Sequence, residues 1–380
     1  MKNKSCIVCR RNPRQHDYYC NRCYQRVRKN REYFELIQKE WKLEAKRERQ
    51  SYFYFVNEAK ELLSGSKCFV IGRKGEGKTA LAQYIYNQSE YNQFTAKMTF
   101  KDVPFNTIYK LTDDSFTKPN QYSSIWKYLI YITVCKQMIK NNSIDSVFRK
   151  QLGEIFPDEN TKLAKLIKKY TVREFGIRIL NIGMNIEREE AHEETTWIEA
   201  MSLLEDIIIE NIDDSKYYIV FDELDEDYKN FQSDQERTNY FDMVTGLFKA
   251  VQDVRATFDE RNKNVFPIIF LRTDIYDQIT YSDKNKWSDS IINIVWTPDK
   301  LKALLRHRLN VLFENEPTHL SFDVCWKQIF GTSEMSYGAN GVKKMGSFEY
   351  ILRSTQNRPR DFIKYFQECA KQALNNNSLV

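Results

Sequence analysis

The chain has 380 residues, 42% apolar and 29% charged, with a formal net charge of +6. That apolar share supports a sizeable core and excludes disorder throughout, and a prior of roughly 150 residues per domain allows two or three domains. No apolar run approaches the ~20 residues of a membrane-spanning helix; the longest, Ile125–Cys135, is broken by Lys127.

The start, Met1-Lys2-Asn3-Lys4, runs into cysteines with no apolar stretch that would serve as a secretory signal. The expectation is a cytoplasmic protein with no membrane partner, whose eight cysteines are thiols or metal ligands and not a disulfide framework. Charge is uneven: residues 1–50 carry 15 Lys/Arg against 6 Asp/Glu, which leaves the rest of the chain net negative. A basic arm of this kind suits a polyanion, although a solvated helix face gives the same count. Within it, Cys6-Ile7-Val8-Cys9 and Cys20-Asn21-Arg22-Cys23 are two C-x-x-C pairs separated by ten residues. Cys6, Cys9, Cys20 and Cys23 fit a tetrahedral Zn²⁺ site, the staple a segment too small for its own core would need. A redox pair, an iron–sulfur site, or His16 in place of one cysteine are the alternatives. Arg10, Arg11, Arg14, Arg22, Arg26 and Arg28 lie around these cysteines with Tyr18, Tyr19 and Tyr24 among them. Arginine interleaved with tyrosine suits phosphate contact and base stacking, so a nucleic acid is one expected partner and a docking protein the other.

In chain order, residues 1–24 read as a zinc-binding module and 25–63 as a charged linker helix without Gly or Pro. Ser64-Gly65-Ser66 ends that helix. Cys68-Phe69-Val70-Ile71 is a short apolar strand, followed by a glycine-rich loop and an amphipathic helix from Lys78 to about Gln88. Residues 95–101 suit a second strand. Helices are predicted at 122–140 and 193–210, inside a helical insertion of about 102–210; residues 141–192 fit no simple template. Tyr217–Phe221 is a strand, 236–258 a helix, Pro267–Leu271 a strand and Ile291–Trp296 a weaker one. From Pro298 the pattern is helical to the polar tail at Asn375–Ser378. No internal repeat is visible. Short all-apolar strands alternating with helices predict an α/β fold, a parallel sheet covered on both faces, with ligands beyond the carboxyl ends of its strands. The expected organisation is a core over 64–297 and a C-terminal helical lid over 298–380.

Four of the twelve glycines, Gly65, Gly72, Gly75 and Gly77, fall within thirteen residues. Gly72-Arg73-Lys74-Gly75-Glu76-Gly77-Lys78-Thr79 fits G-x-x-x-x-G-K-[S/T] at every fixed position, between a strand and a helix that opens with Lys78, Thr79 and Ala80. Glycines let such a loop curl so that backbone N–H groups meet phosphate oxygens, and the following helix adds its positive end. Lys78 then reaches the β- and γ-phosphates and the Thr79 hydroxyl ligates Mg²⁺. Ile219-Val220-Phe221-Asp222-Glu223 is an apolar strand ending in two acids, a Walker B pattern. It assigns Asp222 to Mg²⁺ and Glu223 to the attacking water as base. At the end of a third strand, Thr273, and after it Arg272, is the candidate sensor of the γ-phosphate. Asn357-Arg358-Pro359-Arg360 opens a late helix, with Pro359 suited to its first turn, and Arg360 can reach back to phosphates. Arg306 and Arg308 are further arginine-finger candidates, with a plain surface role as the competing reading.

On these residues the chain resembles the P-loop ATPases of the additional-strand (ASCE) division, with AAA-like, origin-recognition-like and STAND/KAP-type groups as neighbours. The carriers are Gly72–Thr79, Phe221-Asp222-Glu223, Leu271-Arg272-Thr273-Asp274 and Asn357-Arg358-Pro359-Arg360. The last is similar to a G-N-P-R motif, which implies that Arg360 couples nucleotide state to the helical lid; Arg358 departs from the small residue expected there. The strings FVIGRKGEGKTAL, FDELD and LRTDIY resemble a bacterial ATPase family often linked to defence against phage or mobile DNA. The resemblance covers roughly residues 52–370 and implies ATP and Mg²⁺ as ligands. The expected function is an ATP-hydrolysing switch or motor. The alternative is a nucleotide-gated scaffold with little turnover, a possible homo-oligomer, that recruits an effector protein. A kinase is a third reading, disfavoured by consecutive Asp222 and Glu223.

Overall fold

The computed structural model describes residues 20–88, 90–99, 118–156, 197–225, 228, 231, 233–314, 319–331, 334–338 and 341–375. Helices and strands alternate along the first three quarters of the chain, as α1 (Asn21–Glu40), α2 (Asn57–Leu63), β1 (Phe69–Gly72), α3 (Lys78–Asn87), β2 (Gln93–Thr99), α4 (Lys118–Lys140), α5 (Ser146–Ile155), α6 (Trp197–Asn211), β3 (Lys216–Asp222), α7 (Asp234–Glu260), β4 (Val265–Arg272) and β5 (Ile291–Asn293). There follow α8 (Pro298–Leu312), α9 (Phe322–Phe330), β6 (Glu334–Tyr337), β7 (Lys343–Gly346), α10 (Ser347–Arg353) and α11 (Pro359–Asn375). The chain divides into two compact units: Asn57–Arg73 with Leu81–Ile294, and Met1–Val56 with Lys74–Ala80 and Val295–Val380.

The first of these units is built on a five-stranded parallel sheet of order β2-β3-β4-β1-β5. Its central strands consist of β-branched and aromatic residues buried along nearly their whole length, the pattern of strands covered on both faces. β4 carries Pro267, an unusual residue for a central strand. Two residues on, the Ile269 N–H donates to the Cys68 carbonyl, so the donor that proline lacks would face β1's side before that strand's first residue, Phe69, pairs with Ile269.

On one face lies α4. The run Ile125–Cys135 that stood out in the sequence is buried almost all round, with Trp126, Ile130, Tyr131, Ile132, Val134 and Cys135 fully enclosed. A helix apolar on every side belongs inside a core; α4 packs against α5, α6, α7 and the sheet. Gly246 of α7 allows this contact: a Cβ there would lie 2.5 Å from Tyr122 Cβ and 3.0 Å from Ser123 N. Among the described residues no helix is long and apolar enough to cross a membrane. On the other face Tyr218 stacks on Phe266 at 5.2 Å and its hydroxyl donates to the Leu63 carbonyl of α2.

The second unit is mostly helical. α11 buries Phe362, Ile363, Phe366 and Ala370 along one stripe, and α1 packs Val27, Tyr33, Phe34 and Ile37 into the same core. The reading of 25–63 as one charged linker helix is corrected here. α1 ends at Glu40, two 3-10 turns at 45–47 and 50–52 follow, and α2 begins at Asn57. Trp41 is the physical reason: fully buried, in extended conformation, it packs on Phe366 at 5.1 Å and its carbonyl accepts from Gln367 Nε2 at 2.7 Å. With that carbonyl bonded to Gln367 and the backbone extended, the helical hydrogen-bond ladder stops here. Residues 25–56 of the segment belong to this unit, and α2 belongs to the parallel-sheet unit.

Other elements fall within a few residues of expectation, with differences that have causes. β5 is only three residues, because Val295 and Thr297 are exposed and the chain turns into α8, capped by Thr297 Oγ1 accepting from Lys300 N. The helical reading after Pro298 missed the antiparallel pair β6–β7, whose strands are four residues each with no fully buried position, too short for an alternation to stand out. Within 141–192, read as part of a helical insertion, lies the helix α5, capped by Asp145, whose carboxylate accepts from Val147 N and Phe148 N; residues 157–196 lie outside the described residues.

Candidate functional site

The sheet places three sequence-derived groups on one edge, at the carboxyl ends of adjacent strands. Gly72 ends β1 opposite Arg272 of β4, and Asp222 ends β3, which flanks β4 on its other side. Asp222 is 3% exposed. Glu223 follows with φ at +59°, the left-handed region that a non-glycine residue rarely occupies. Strain of that kind collects at sites where a side chain must be aimed out of a strand. The turn beyond is pinned: Leu224 is buried and its carbonyl accepts from the Tyr240 hydroxyl at 2.8 Å.

Sequence reasoning missed Lys97. It lies on β2, beside β3, and its Nζ is 2.9 Å from Asp222 Oδ2, with both side chains largely enclosed. Only the pairing of β2 with β3 brings them together, and β2's half-buried pattern gave no hint that its one lysine meets the strand-end carboxylate.

Arg272, the second sensor candidate, is already engaged. Its Nε and Nη2 donate to the two carboxylate oxygens of Asp274 at 2.9 and 2.5 Å, and Nη1 donates to Asp225 Oδ2 at 3.1 Å. These bonds, the Asp274 pair foremost, hold its already high pKa higher still. Asp225 thus belongs to a fork at the strand end. Thr273, the first-choice sensor, opens the single helical turn Thr273–Tyr276 directly after β4.

Arg306 and Arg308, for which the plain structural reading was favoured over an arginine finger, both have partners within the helical unit. Arg306 Nε donates to the Leu320 carbonyl. Arg308 is 2% exposed, forms a two-pronged ion pair with Glu48, and lies over the rings of Trp41 and Tyr52 at 4.7 and 5.4 Å. It is a core cation, paired and stacked as a buried charge must be.

In the helical unit the loop residues Lys74–Ala80 meet the Asn357–Arg360 turn. Arg358 Nη1 donates to the Lys74 carbonyl at 3.2 Å, and the Arg360 N–H to the Gly75 carbonyl at 3.4 Å. A Cβ on Gly75 would come within 3.4 Å of Arg360 Cβ, and its φ of +92° is glycine's territory, as is the +96° of Gly77. The Trp296 indole donates to the Glu76 carbonyl at 2.8 Å. Arg358 is itself held by Asp361 through Nε and Nη2, and Asn357 adopts φ +53° before Pro359 opens α11. Lys78, Thr79 and Ala80, half-buried, form the first turn of α3.

Each unit carries groups of the chemical type a magnesium–triphosphate ligand takes. A strand-end carboxylate and a threonine hydroxyl are the hard oxygen ligands Mg²⁺ takes, and the loop carries positive-φ glycines before a helix start. Cys20 caps α1 and Cys23 lies in its first turn; Cys6 and Cys9 lie outside the described residues, and among the described residues no three-ligand cluster forms.

Residues 299–380 match the family model of the FunZ-associated C-terminal helical domain. The match covers α8 to α11, including the Asn357–Arg360 turn. No curated protein and no solved structure matches the chain.

Proposed function

We propose that the protein binds ATP with Mg²⁺ and hydrolyses it. The observation that carries this reading is the strand order. β1, which runs into the glycine-rich loop, and β3, which ends in Asp222 and Glu223, are separated by one strand, β4. An extra strand between the loop-bearing and acid-bearing strands is the feature for which the additional-strand division is named. In this assignment the loop Gly72, Arg73, Lys74, Gly75, Glu76 and Gly77, with Lys78, Thr79 and Ala80, cradles the phosphates through backbone N–H groups. Lys78 neutralises the β- and γ-phosphates. Thr79 and Asp222 would hold Mg²⁺, which supplies charge neutralisation along the phosphates. Glu223 takes the proton of the attacking water, Thr273 senses the γ-phosphate, and Arg360 connects nucleotide state to the helical lid.

A role against phage or mobile DNA is part of this reading and rests on the resemblance of the strings FVIGRKGEGKTAL, FDELD and LRTDIY. The four cysteines are assigned to structural zinc. Arg22, Arg26 and Arg28 are exposed along α1, which favours the basic arm as a nucleic-acid contact. A second reading, a nucleotide-gated scaffold that recruits an effector, is favoured by the direct hydrogen bonds from the α11 turn to the loop.

Steady-state phosphate release by wild type and Glu223→Gln, with Mg-ATP binding measured alongside, tests the proposal. The expected result is loss of turnover by about a hundredfold or more with binding retained. Unchanged turnover in Glu223→Gln would remove the base assignment, and negligible turnover in wild type with intact binding would favour the scaffold.

A further inference from the structure

A phosphate loop that turns successive N–H groups toward an anion must turn its carbonyls away, and each carbonyl then needs its own donor. In this protein three consecutive loop carbonyls have donors from one place. Lys74 O accepts from the Arg358 guanidinium, Gly75 O from the Arg360 amide, and Glu76 O from the Trp296 indole. Trp296 lies immediately before Thr297, the cap of α8, and Arg358 immediately before Pro359, the first residue of α11. Each donor is therefore fixed by the start of a helix. Arg358 is fixed twice, since Asp361 takes its Nε and Nη2 while Nη1 is directed at the loop. The departure of Arg358 from the small residue expected in this motif thereby acquires a use.

We infer that Trp296 and Arg358 are positioning residues for nucleotide binding: they hold the phosphate loop from its outer side in the curled form, so that any movement of the starts of α8 and α11 changes the loop's affinity for phosphate. This inference rests on the ATP reading above for the identity of the ligand, but not for the grip itself. Neither residue touches the nucleotide in this scheme; both act through the loop backbone.

The test uses full-length protein and two readouts. Trp296→Phe keeps the ring and removes the indole donor; Arg358→Gln removes the reach to Lys74. Trp326→Phe is the control, because the Trp326 indole donates to Ser347 Oγ within the same unit, away from the loop. The first readout, amide hydrogen exchange without nucleotide, is expected to quicken in peptides covering 74–80 for Trp296→Phe and Arg358→Gln and to stay as in wild type there for Trp326→Phe. The second, calorimetry with Mg-ATP, is expected to show affinity about fivefold to tenfold weaker in the first two variants and unchanged in the control, the scale of one lost hydrogen bond. Loop exchange identical to wild type in a folded Trp296→Phe or Arg358→Gln overturns the grip, as does equal loosening of the loop in Trp326→Phe. If the loop loosens but even wild type binds no nucleotide, the grip stands and the ATP reading falls.

Discussion

Lys97 and Asp222 show how a residue can matter through a partner 125 positions away. Asp222 ends a buried strand, where a carboxylate charge is stabilised by a counterion. Lys97 Nζ, 2.9 Å from Oδ2, supplies it. Removing one member of an enclosed ion pair leaves the other charged and unpaired, which costs more than the pair contributes. Lys97→Met is expected to lower the unfolding free energy of the nucleotide-free protein by about 3 kcal/mol, read by urea denaturation; an unchanged midpoint would show that the pair carries no stability. The contrast with the loop is instructive. Gly72–Thr79 and Asp222–Glu223 stand out in the sequence because each motif is a run of contiguous residues. Trp296 and Arg358 meet their loop carbonyls across 220 and 284 positions, and no local pattern marks them. Glu223's left-handed backbone is equally invisible to composition.

At the level of elements, burial decides what could be read. β1, β3 and β4 are short apolar runs covered on both faces, so their type is fixed by residue choice alone. α1 was legible as a helix but not in its end, because the stop at Trp41 is set by Phe366 and Gln367 of α11. β6 and β7 escaped notice because strands of four residues without a fully buried position give too short a pattern to read. The α4–α7 contact also has a residue that only the packing explains. Gly246 lies mid-helix, where glycine is costly, and is retained because Tyr122 Cβ and the Ser123 backbone occupy the space of a side chain. Gly246→Ala, which favours the helix intrinsically, is nevertheless expected to destabilise by about 2 kcal/mol through overpacking. A thermal melt that rose would contradict this account of the helix pair.

Over the whole molecule, the two compact units divide the legible from the illegible. The parallel-sheet unit follows the alternation of strand and helix closely. The helical unit was expected to be a lid beginning near Pro298, and the matched family domain begins at residue 299. Its recruitment of α1 and of Lys74–Ala80 was not foreseen, since both join it through contacts far apart in sequence. The account centres on a triphosphate held at the loop. The most direct measurement is titration calorimetry of Mg-ATP into wild type and Lys78→Ala. A magnesium-dependent affinity in wild type that falls at least tenfold in a folded Lys78→Ala is the predicted result; no heat of binding in wild type, or equal affinity in both, would contradict it.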